Sequence, residues 1–108
     1  MLNRKRLKKH AAAIFNAALQ SVDPEACVRR NLKIDGDRLR VGRSAYPLGD
    51  IGRLFVVGAG KASAAMARGV EKVLGERIVH GLVITKYGHG VPLRHCRVME
   101  AAHPVPDE

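Results

Sequence analysis

A short apolar segment, residues 54–57 (Leu-Phe-Val-Val), runs directly into the turn 58–61 (Gly-Ala-Gly-Lys). Because the segment shows no alternation of apolar and polar residues, it is typical of a strand with both faces covered, as in a parallel α/β sheet. Residues 61–74 then place apolar side chains at helical spacing. Gly58 and Gly60 permit the tight turn between these two elements. The pattern predicts a strand, a glycine turn and a helix in succession.

The glycine turn is a candidate anion site. At a helix N-terminus, unpaired N–H groups and the positive end of the helix dipole favour a phosphate or carboxylate, and Lys61 adds a full charge. The dinucleotide fingerprint is incomplete, because Ser63 replaces its third glycine and no acidic residue follows about twenty positions later. The Walker A loop is absent, because Phe55 and Ala62 occupy positions that need glycine and Ser or Thr. A close-packed turn with a solvated lysine remains the alternative.

Hydrophobic periodicity predicts the elements before this turn. An apolar stripe over residues 4–22 indicates an amphipathic helix with a structural role, and 23–25 (Asp-Pro-Glu) then begins a second helix that runs to about residue 31. Around 35–37 (Asp-Gly-Asp), short alternating segments predict a β-hairpin. A polar turn over 42–47 leads on towards the buried strand.

Two further strands are predicted after the glycine-turn helix, at residues 80–85 and 97–100. We therefore expect an α/β fold: a partial Rossmann-like parallel sheet with helices on both faces, preceded by two N-terminal helices and a short β-hairpin. Ligands of such sheets bind beyond the carboxyl ends of the strands. Three loops should consequently share one rim: 58–63, 86–90 and 101–107.

The net charge of +9 over 108 residues invites a nucleic-acid interpretation. The excess of cations lies mostly before residue 44, however, and five of them form the solvated start of a helix: Arg4, Lys5, Arg6, Lys8 and Lys9. Aromatic residues are few, and no zinc-finger or RNP pattern occurs. A basic nucleic-acid-binding protein is therefore kept only as an alternative, and we expect no nucleic-acid partner.

The sequence also allows a prediction of the cellular compartment. No apolar run approaches the roughly 20 residues that cross a bilayer, and no signal-peptide core is present. We therefore expect a cytoplasmic protein with no membrane partner. Cys27 and Cys96 lack metal-type spacing, which favours two reduced packing residues.

Four motifs follow one another along the chain: 23–26 (Asp-Pro-Glu-Ala), 58–63 (Gly-Ala-Gly-Lys-Ala-Ser), 85–89 (Thr-Lys-Tyr-Gly-His) and 100–108 (Glu-Ala-Ala-His-Pro-Val-Pro-Asp-Glu). In this order they resemble the N-terminal portion of the class II glycerate kinases, the glycerate 2-kinase family that ends in a MOFRL-type domain. The resemblance covers essentially all of the chain. It departs from the family at Ala102, where glycine is usual, and this change leaves His103 in place.

The resemblance implies ATP-dependent phosphorylation of D-glycerate to 2-phosphoglycerate, with ATP and Mg²⁺ as cofactors. No metal ligand can be named in the chain, so magnesium is expected to bind through substrate phosphates and through acids outside it. A non-catalytic module that binds a nucleotide or a sugar phosphate is the first alternative, and the oligomeric state stays open.

The resemblance also implies roles for residues of the glycine turn. Lys61 matches the family's essential lysine and is expected to be catalytic, holding phosphoryl oxygens or the glycerate carboxylate as charge develops. Gly58, Gly60 and Ser63 are expected to form the cofactor-binding cradle. For these three, close packing of helix on strand is an alternative that is compatible with binding.

The second and third loops supply the expected substrate-binding residues. Lys86 and His89 flank a glycine in the second loop, where the lysine can contact phosphate and the histidine can orient substrate. His103 lies in the third loop beside stiffening prolines. The alternative for both loops is a purely structural rim.

Members of the family run to several hundred residues in two domains with the active site between them. The interpretation is therefore that residues 1–108 are the N-terminal part of the Rossmann-like glycerate kinase domain, without its remaining strands and the MOFRL-type domain. We expect the isolated chain to lack kinase activity and to have an incompletely covered sheet edge.

Overall fold

A computed structural model describes residues 4–102 and Val105. Two helices open the chain, α1 (Arg4–Ser21) and α2 (Pro24–Asn31). Asp23 caps α2, because its carboxylate accepts a hydrogen bond of 2.9 Å from the Ala26 N–H, and Pro24 occupies the first turn. Both predicted helices are confirmed.

An antiparallel sheet follows, with strands β1 (Leu32–Asp35), β2 (Arg38–Val41) and β3 (Ser44–Pro47) in that order. The first two strands are the predicted hairpin, and Gly36 makes its turn with a φ of 61°. The third strand was not expected, because its segment reads as a polar turn. Gly42, with a φ of 59°, makes a second tight turn that returns this segment along β2.

The second sheet is parallel, with strands β4 (Leu54–Ala59), β5 (Ile78–Lys86) and β6 (Cys96–Ala101) in that order. Helix α3 (Ser63–Leu74) connects β4 to β5 and ends at Gly75, where φ is 53°. The predicted strand–helix–strand unit is therefore confirmed. The helix begins two residues later than the apolar pattern indicates, so Lys61 lies in the turn before it.

Two small cores hold these elements together. The first lies between α3 and the parallel sheet and includes Ala64, Ala67, Val83 and Cys96. The second joins the two sheets through Leu39, Leu74 and Ile78. Both cysteines are free; burial, together with the adjacent Glu71 carboxylate, raises the pKa of the Cys96 thiol, as suits a neutral packing residue.

The parallel sheet carries a described helix on one face only. The sequence interpretation expected helices on both faces, but α2 packs on α3 instead of on the sheet. The opposite face is apolar and exposed, with Val57 at 84% of its full exposure and Phe55 at 56%. The same face includes the exposed side chains of Leu82, Ile84 and Met99.

Helix α1 has the apolar stripe that its sequence predicts, but the stripe is not part of either core. Every α1 side chain that the structure describes is exposed, including Ile14 and Phe15. Among the described helices, none is long and apolar enough to cross a membrane.

Candidate functional site

The candidate site lies at the carboxyl ends of the three parallel strands. The register pairs Ala59 at the end of β4 with Ile84, and Lys86 at the end of β5 with Ala101 at the end of β6. The loops that follow β4 and β5 therefore start on one rim, as predicted for this class of sheet. Most of the third loop, including His103, lies outside the described residues.

Gly60 gives the glycine turn its backbone conformation. Its φ of 113° is one that residues with a Cβ rarely adopt, while a Cβ built there would meet no atom within 4 Å. The Gly60 N–H donates a hydrogen bond of 3.0 Å to the Ile84 carbonyl. Glycine is therefore needed here for conformation, and the space above it is open to a ligand.

Gly58 has a different environment. A Cβ at this position would lie 3.4 Å from the Cβ of Ser63 and 3.7 Å from Val83. These are ordinary van der Waals distances, so a Cβ could be accommodated between the strand and the start of α3. Gly58 therefore packs against Ser63 and Val83, but neither the packing distances nor the backbone conformation requires glycine there.

Two buried hydroxyl groups form hydrogen bonds with backbone carbonyls of the glycine turn. Ser63 is 8% exposed and its Oγ lies 2.7 Å from the Gly60 carbonyl oxygen and 3.0 Å from that of Ile84, to either of which it can donate. Thr85 is 2% exposed and donates a hydrogen bond of 3.2 Å to the Lys61 carbonyl. Because the Ser63 proton is committed to the backbone, only its oxygen lone pairs remain for a ligand.

The Lys61 ammonium is exposed on this turn, and within residues 4–102 it forms no ion pair or hydrogen bond. Ala62 occupies the N-cap position of α3 without a side-chain cap. Of the first N–H groups of the helix, those of Ala64 and Ala65 have no acceptor in the described part of the chain. A free cation and uncapped helix N–H groups are the elements of an anion site.

The second loop is a hydrogen-bonded turn. Gly88 has a φ of 79°, and the His89 N–H donates to the Lys86 carbonyl at 2.9 Å. The Tyr87 N–H donates to the Ala101 carbonyl at 3.2 Å, which joins this loop to the end of β6. Lys86 is half-buried at the strand end and His89 is exposed. The turn thus brings Lys86 and His89 to the same rim as the glycine turn.

Two cavities adjoin α3. One of about 200 Å³ lies beside the glycine turn and is lined by Gly58, Ser63 and Met66 among others. The larger, of about 620 Å³, lies towards the C-terminal end of α3, and its lining includes Arg94 and His95. We assign the site to the rim and not to the larger cavity, because the strand ends and the uncapped helix N-terminus meet only there.

Glu71 lines the larger cavity and binds the backbone of residues beside it. Its carboxylate accepts hydrogen bonds from the N–H groups of Arg94 at 2.9 Å, Cys96 at 2.8 Å and His95. Burial raises the pKa of Glu71, but these N–H donors outweigh burial and hold the pKa below its ordinary value. Sequence patterns do not single out this residue, because its partners lie 23 to 25 residues away.

The described residues include no cluster of three or more His, Cys, Asp or Glu side chains that could hold a metal ion. The glycine turn, in contrast, fits the phosphate groups of a nucleotide, because it combines an open backbone with an unpaired cation.

Comparison with known proteins places this site in context. Residues 10–108 match the family described as a domain of unknown function, DUF4147. A protein named hydroxypyruvate reductase from Agrobacterium vitis is 45% identical over 95 residues, which are 88% of this chain and 18% of that protein. The D-glycerate 2-kinase of Thermotoga maritima is 35% identical over 109 residues, 100% of this chain and 23% of that protein. The chain spans about a fifth of the length of these relatives.

Two solved structures have the same fold. A crystal structure of a Pyrococcus horikoshii protein has a TM-score of 0.79 and 31% identity, covering 94% of this chain and 22% of that one. The crystal structure of a Thermotoga maritima glycerate kinase has a TM-score of 0.69 and 34% identity, covering 96% of this chain and 22% of that one. The α/β fold class and the resemblance to the glycerate kinases are confirmed by these relatives. This chain belongs to the DUF4147 family.

Proposed function

We propose that this chain forms the phosphate-binding wall of a glycerate 2-kinase, an enzyme that transfers the terminal phosphoryl group of ATP to D-glycerate and gives 2-phosphoglycerate. The observation that carries the proposal is Lys61, an unpaired cation on an open glycine turn at the carboxyl rim of a parallel sheet. The glycerate kinases named among the relatives support it. The proposal assigns the activity to a longer protein that includes this segment.

Each rim residue has a role in this proposal. The Lys61 ammonium binds phosphoryl oxygens or the glycerate carboxylate, and so offsets the negative charge that grows in the transition state. The Gly60 backbone lets the phosphate chain approach closely, with Gly58 packed beneath it. Lys86, His89 and His103 orient glycerate from the other two loops. ATP would supply the phosphoryl group, and Mg²⁺ would neutralise its oxygens.

Reduction of hydroxypyruvate, the activity in the name of the Agrobacterium vitis relative, is less well supported by the rim. A nicotinamide fold places an acidic residue at the end of its second strand to bind ribose hydroxyls. Here β5, the strand next to the glycine turn, ends on Thr85 and Lys86. A cation at that position suits phosphate better than a ribose hydroxyl.

Phosphoryl transfer depends on positioning both substrates against each other, and this chain supplies only one side of the proposed cleft. We therefore propose that the isolated 108-residue chain shows no turnover with ATP and D-glycerate. As an alternative function, a non-catalytic module would bind ATP without the rest of the enzyme. Calorimetry of the isolated chain with ATP and with D-glycerate separates the two, since only a binding module should hold its ligand unaided.

A chimera tests the proposed activity directly. This chain replaces the matching segment of the Thermotoga maritima glycerate kinase, and turnover of ATP and D-glycerate is measured, with the product identified by ³¹P NMR. We expect 2-phosphoglycerate, and we expect Lys61→Ala to lower kcat by about a hundredfold or more. Lys33→Ala, at an exposed lysine of β1, is the matched control and should leave kcat unchanged.

Two results would contradict this proposal in different ways. A folded chimera without kinase activity would remove the proposed function. A chimera in which Lys61→Ala retains the parent kcat would keep the function but remove Lys61 from it. Thermal unfolding of each variant distinguishes a lost catalytic contact from a lost fold.

A further inference from the structure

Thr85 is a buried polar residue that the proposed chemistry does not use. Its side chain lies on the α3 face of β5, where the neighbouring inward residue is the buried Val83. Valine has nearly the same shape as threonine, and a hydroxyl in an apolar core is costly unless it is hydrogen-bonded. The Thr85 hydroxyl has one partner among residues 4–102, the Lys61 carbonyl oxygen at 3.2 Å.

This hydrogen bond acts on the residue that carries the proposed catalytic cation. Lys61 lies between Gly60, with its unusual φ of 113°, and the start of α3 at Ser63. In the described part of the chain, the Lys61 backbone makes no hydrogen bond apart from the one it accepts from Thr85. The backbone position of Lys61 therefore depends on Thr85.

Neighbouring hydrogen bonds complete the arrangement. The Gly60 N–H donates to the Ile84 carbonyl, and the Ser63 hydroxyl lies within hydrogen-bond distance of the Gly60 and Ile84 carbonyls. Two successive residues of the turn, Gly60 and Lys61, are thus fixed to two successive residues of β5, Ile84 and Thr85. A lysine side chain is long and flexible, so fixing its backbone lowers the entropy lost when its ammonium binds an anion.

We infer that Thr85 is a positioning residue for Lys61: its buried hydroxyl fixes the Lys61 backbone to the end of β5, so that the ammonium is presented to a phosphate group at the rim. The ligand part of this inference rests on the proposed function. The structural part, that Thr85 orders the Lys61 peptide, stands without any ligand.

The test compares Thr85→Val, which removes the hydroxyl and keeps the shape, with Thr85→Ser, which keeps the hydroxyl. Without ligand, ¹⁵N relaxation of the Ala62 N–H reports on the peptide unit that includes the Lys61 carbonyl. We expect its order parameter to fall from about 0.85 towards 0.6 in Thr85→Val and to be restored in Thr85→Ser. Ser21→Ala is the matched control, because the Ser21 hydroxyl donates to the Ala18 carbonyl, a hydrogen bond within α1.

The second measurement is a calorimetric titration with ATP of the chimera described above, in which this chain replaces the matching segment of the Thermotoga maritima glycerate kinase. Loss of one hydrogen bond at the turn should weaken ATP binding about threefold to tenfold in Thr85→Val, while Thr85→Ser stays within about twofold of wild type. If Thr85→Val does not fold, Thr85→Ala carries the same expectation.

The outcomes separate this inference from the proposed function. An unchanged Ala62 order parameter in a folded Thr85→Val variant overturns the positioning role, whatever the chain binds. Equal weakening by Thr85→Val and Thr85→Ser overturns it too, because the hydroxyl would not be the cause. If the wild-type chimera binds no ATP but Thr85→Val still loosens the Ala62 N–H of the isolated chain, the positioning role stands and the ligand assignment fails.

Discussion

The single carboxylate of Glu71 accepts hydrogen bonds from three consecutive N–H groups that lead into β6, those of residues 94–96. Glu25 is a second engaged carboxylate, because it pairs with Lys72 and with the Arg68 Nε at 2.9 Å. Hydrogen bonds from Lys72 and then Arg68 lower the pKa of Glu25, and its N–H donors lower that of Glu71 against the effect of burial. Each carboxylate, when it is charged, therefore stabilises the folded state.

These two shifts predict how stability depends on pH. A carboxyl group whose pKa is lowered on folding stabilises the protein above its ordinary value of 4.5, and this contribution disappears as the pH falls through the lowered pKa. We expect the free energy of unfolding, measured with urea, to decrease between pH 6 and pH 3. Glu71→Gln should lower stability at pH 6 by roughly 1.5–3 kcal/mol and flatten this dependence. An equally steep pH dependence in Glu71→Gln and wild type would contradict the assignment.

At the scale of single residues, the sequence predicts the groups with special local chemistry better than the groups with distant partners. Gly60 and Lys61 are recognisable because glycine and lysine at a strand-to-helix junction have a local meaning. The roles of Thr85 and Glu71 are not recognisable, because their partners are 23 to 25 residues away and meet them only in the folded sheet. Ser63 was predicted to take part in cofactor binding, and in the structure its hydroxyl is directed at the backbone.

At the scale of elements, the contact between α2 and α3 depends on the absence of a side chain at Gly69. A Cβ there would lie 2.9 Å from the Glu25 carbonyl oxygen and 3.1 Å from the Cβ of Val28. Both contacts are with fixed parts of α2, so neither can move aside without shifting the helix.

Gly69→Ala should therefore destabilise the protein, even though alanine is the better helix former by about 1 kcal/mol. We expect a net loss of about 1–3 kcal/mol in the free energy of unfolding, measured with urea. Gly49→Ala is the matched control, because a Cβ at Gly49 would meet no atom within 4 Å. If Gly69→Ala were as stable as wild type, α2 would not be held as closely to α3 as the structure has it.

The elements themselves were largely predictable, since both long helices and all three parallel strands follow from the periodicity of apolar residues. Strand β3 was the exception. It has only four residues and ends on Pro47, and its pairing with β2 depends on the turn at Gly42 more than on any apolar pattern of its own. The start of α3 was also misplaced, because apolar spacing alone does not show where helical hydrogen bonding begins.

At the scale of the whole molecule, one face of the parallel sheet is an exposed apolar surface of the described fold. Phe55 and Val57 on β4 share this face with Leu82 on β5, and a cavity of about 430 Å³ lies among them. The apolar run of β4 predicted a strand with both faces covered; the strand is confirmed, but one of its faces is exposed in the described fold. What packs on each face of β4 could not be predicted from the local pattern, because that pattern shows only that a face is apolar.

This face should make the isolated chain bind apolar dyes and self-associate. We expect fluorescence of the dye ANS to increase on mixing with the chain, and Val57→Thr combined with Leu82→Thr to reduce that increase with little effect on urea stability. Val83→Thr, on the buried face of β5, is the control and should destabilise the fold. Dye binding that does not change in the double variant would place the apolar surface elsewhere.

Helix α3 is attached to the parallel sheet near both of its ends, and to a different strand at each. Near its start, Ser63 lies against the Ile84 carbonyl of β5, and towards its end Glu71 holds the beginning of β6. Contacts with other elements near both ends oppose the unwinding of this helix from either terminus. Opening of the glycine turn is therefore coupled to release of β6 on the far side of the sheet, so that the rim and the base of this small domain should open together as one cooperative unit.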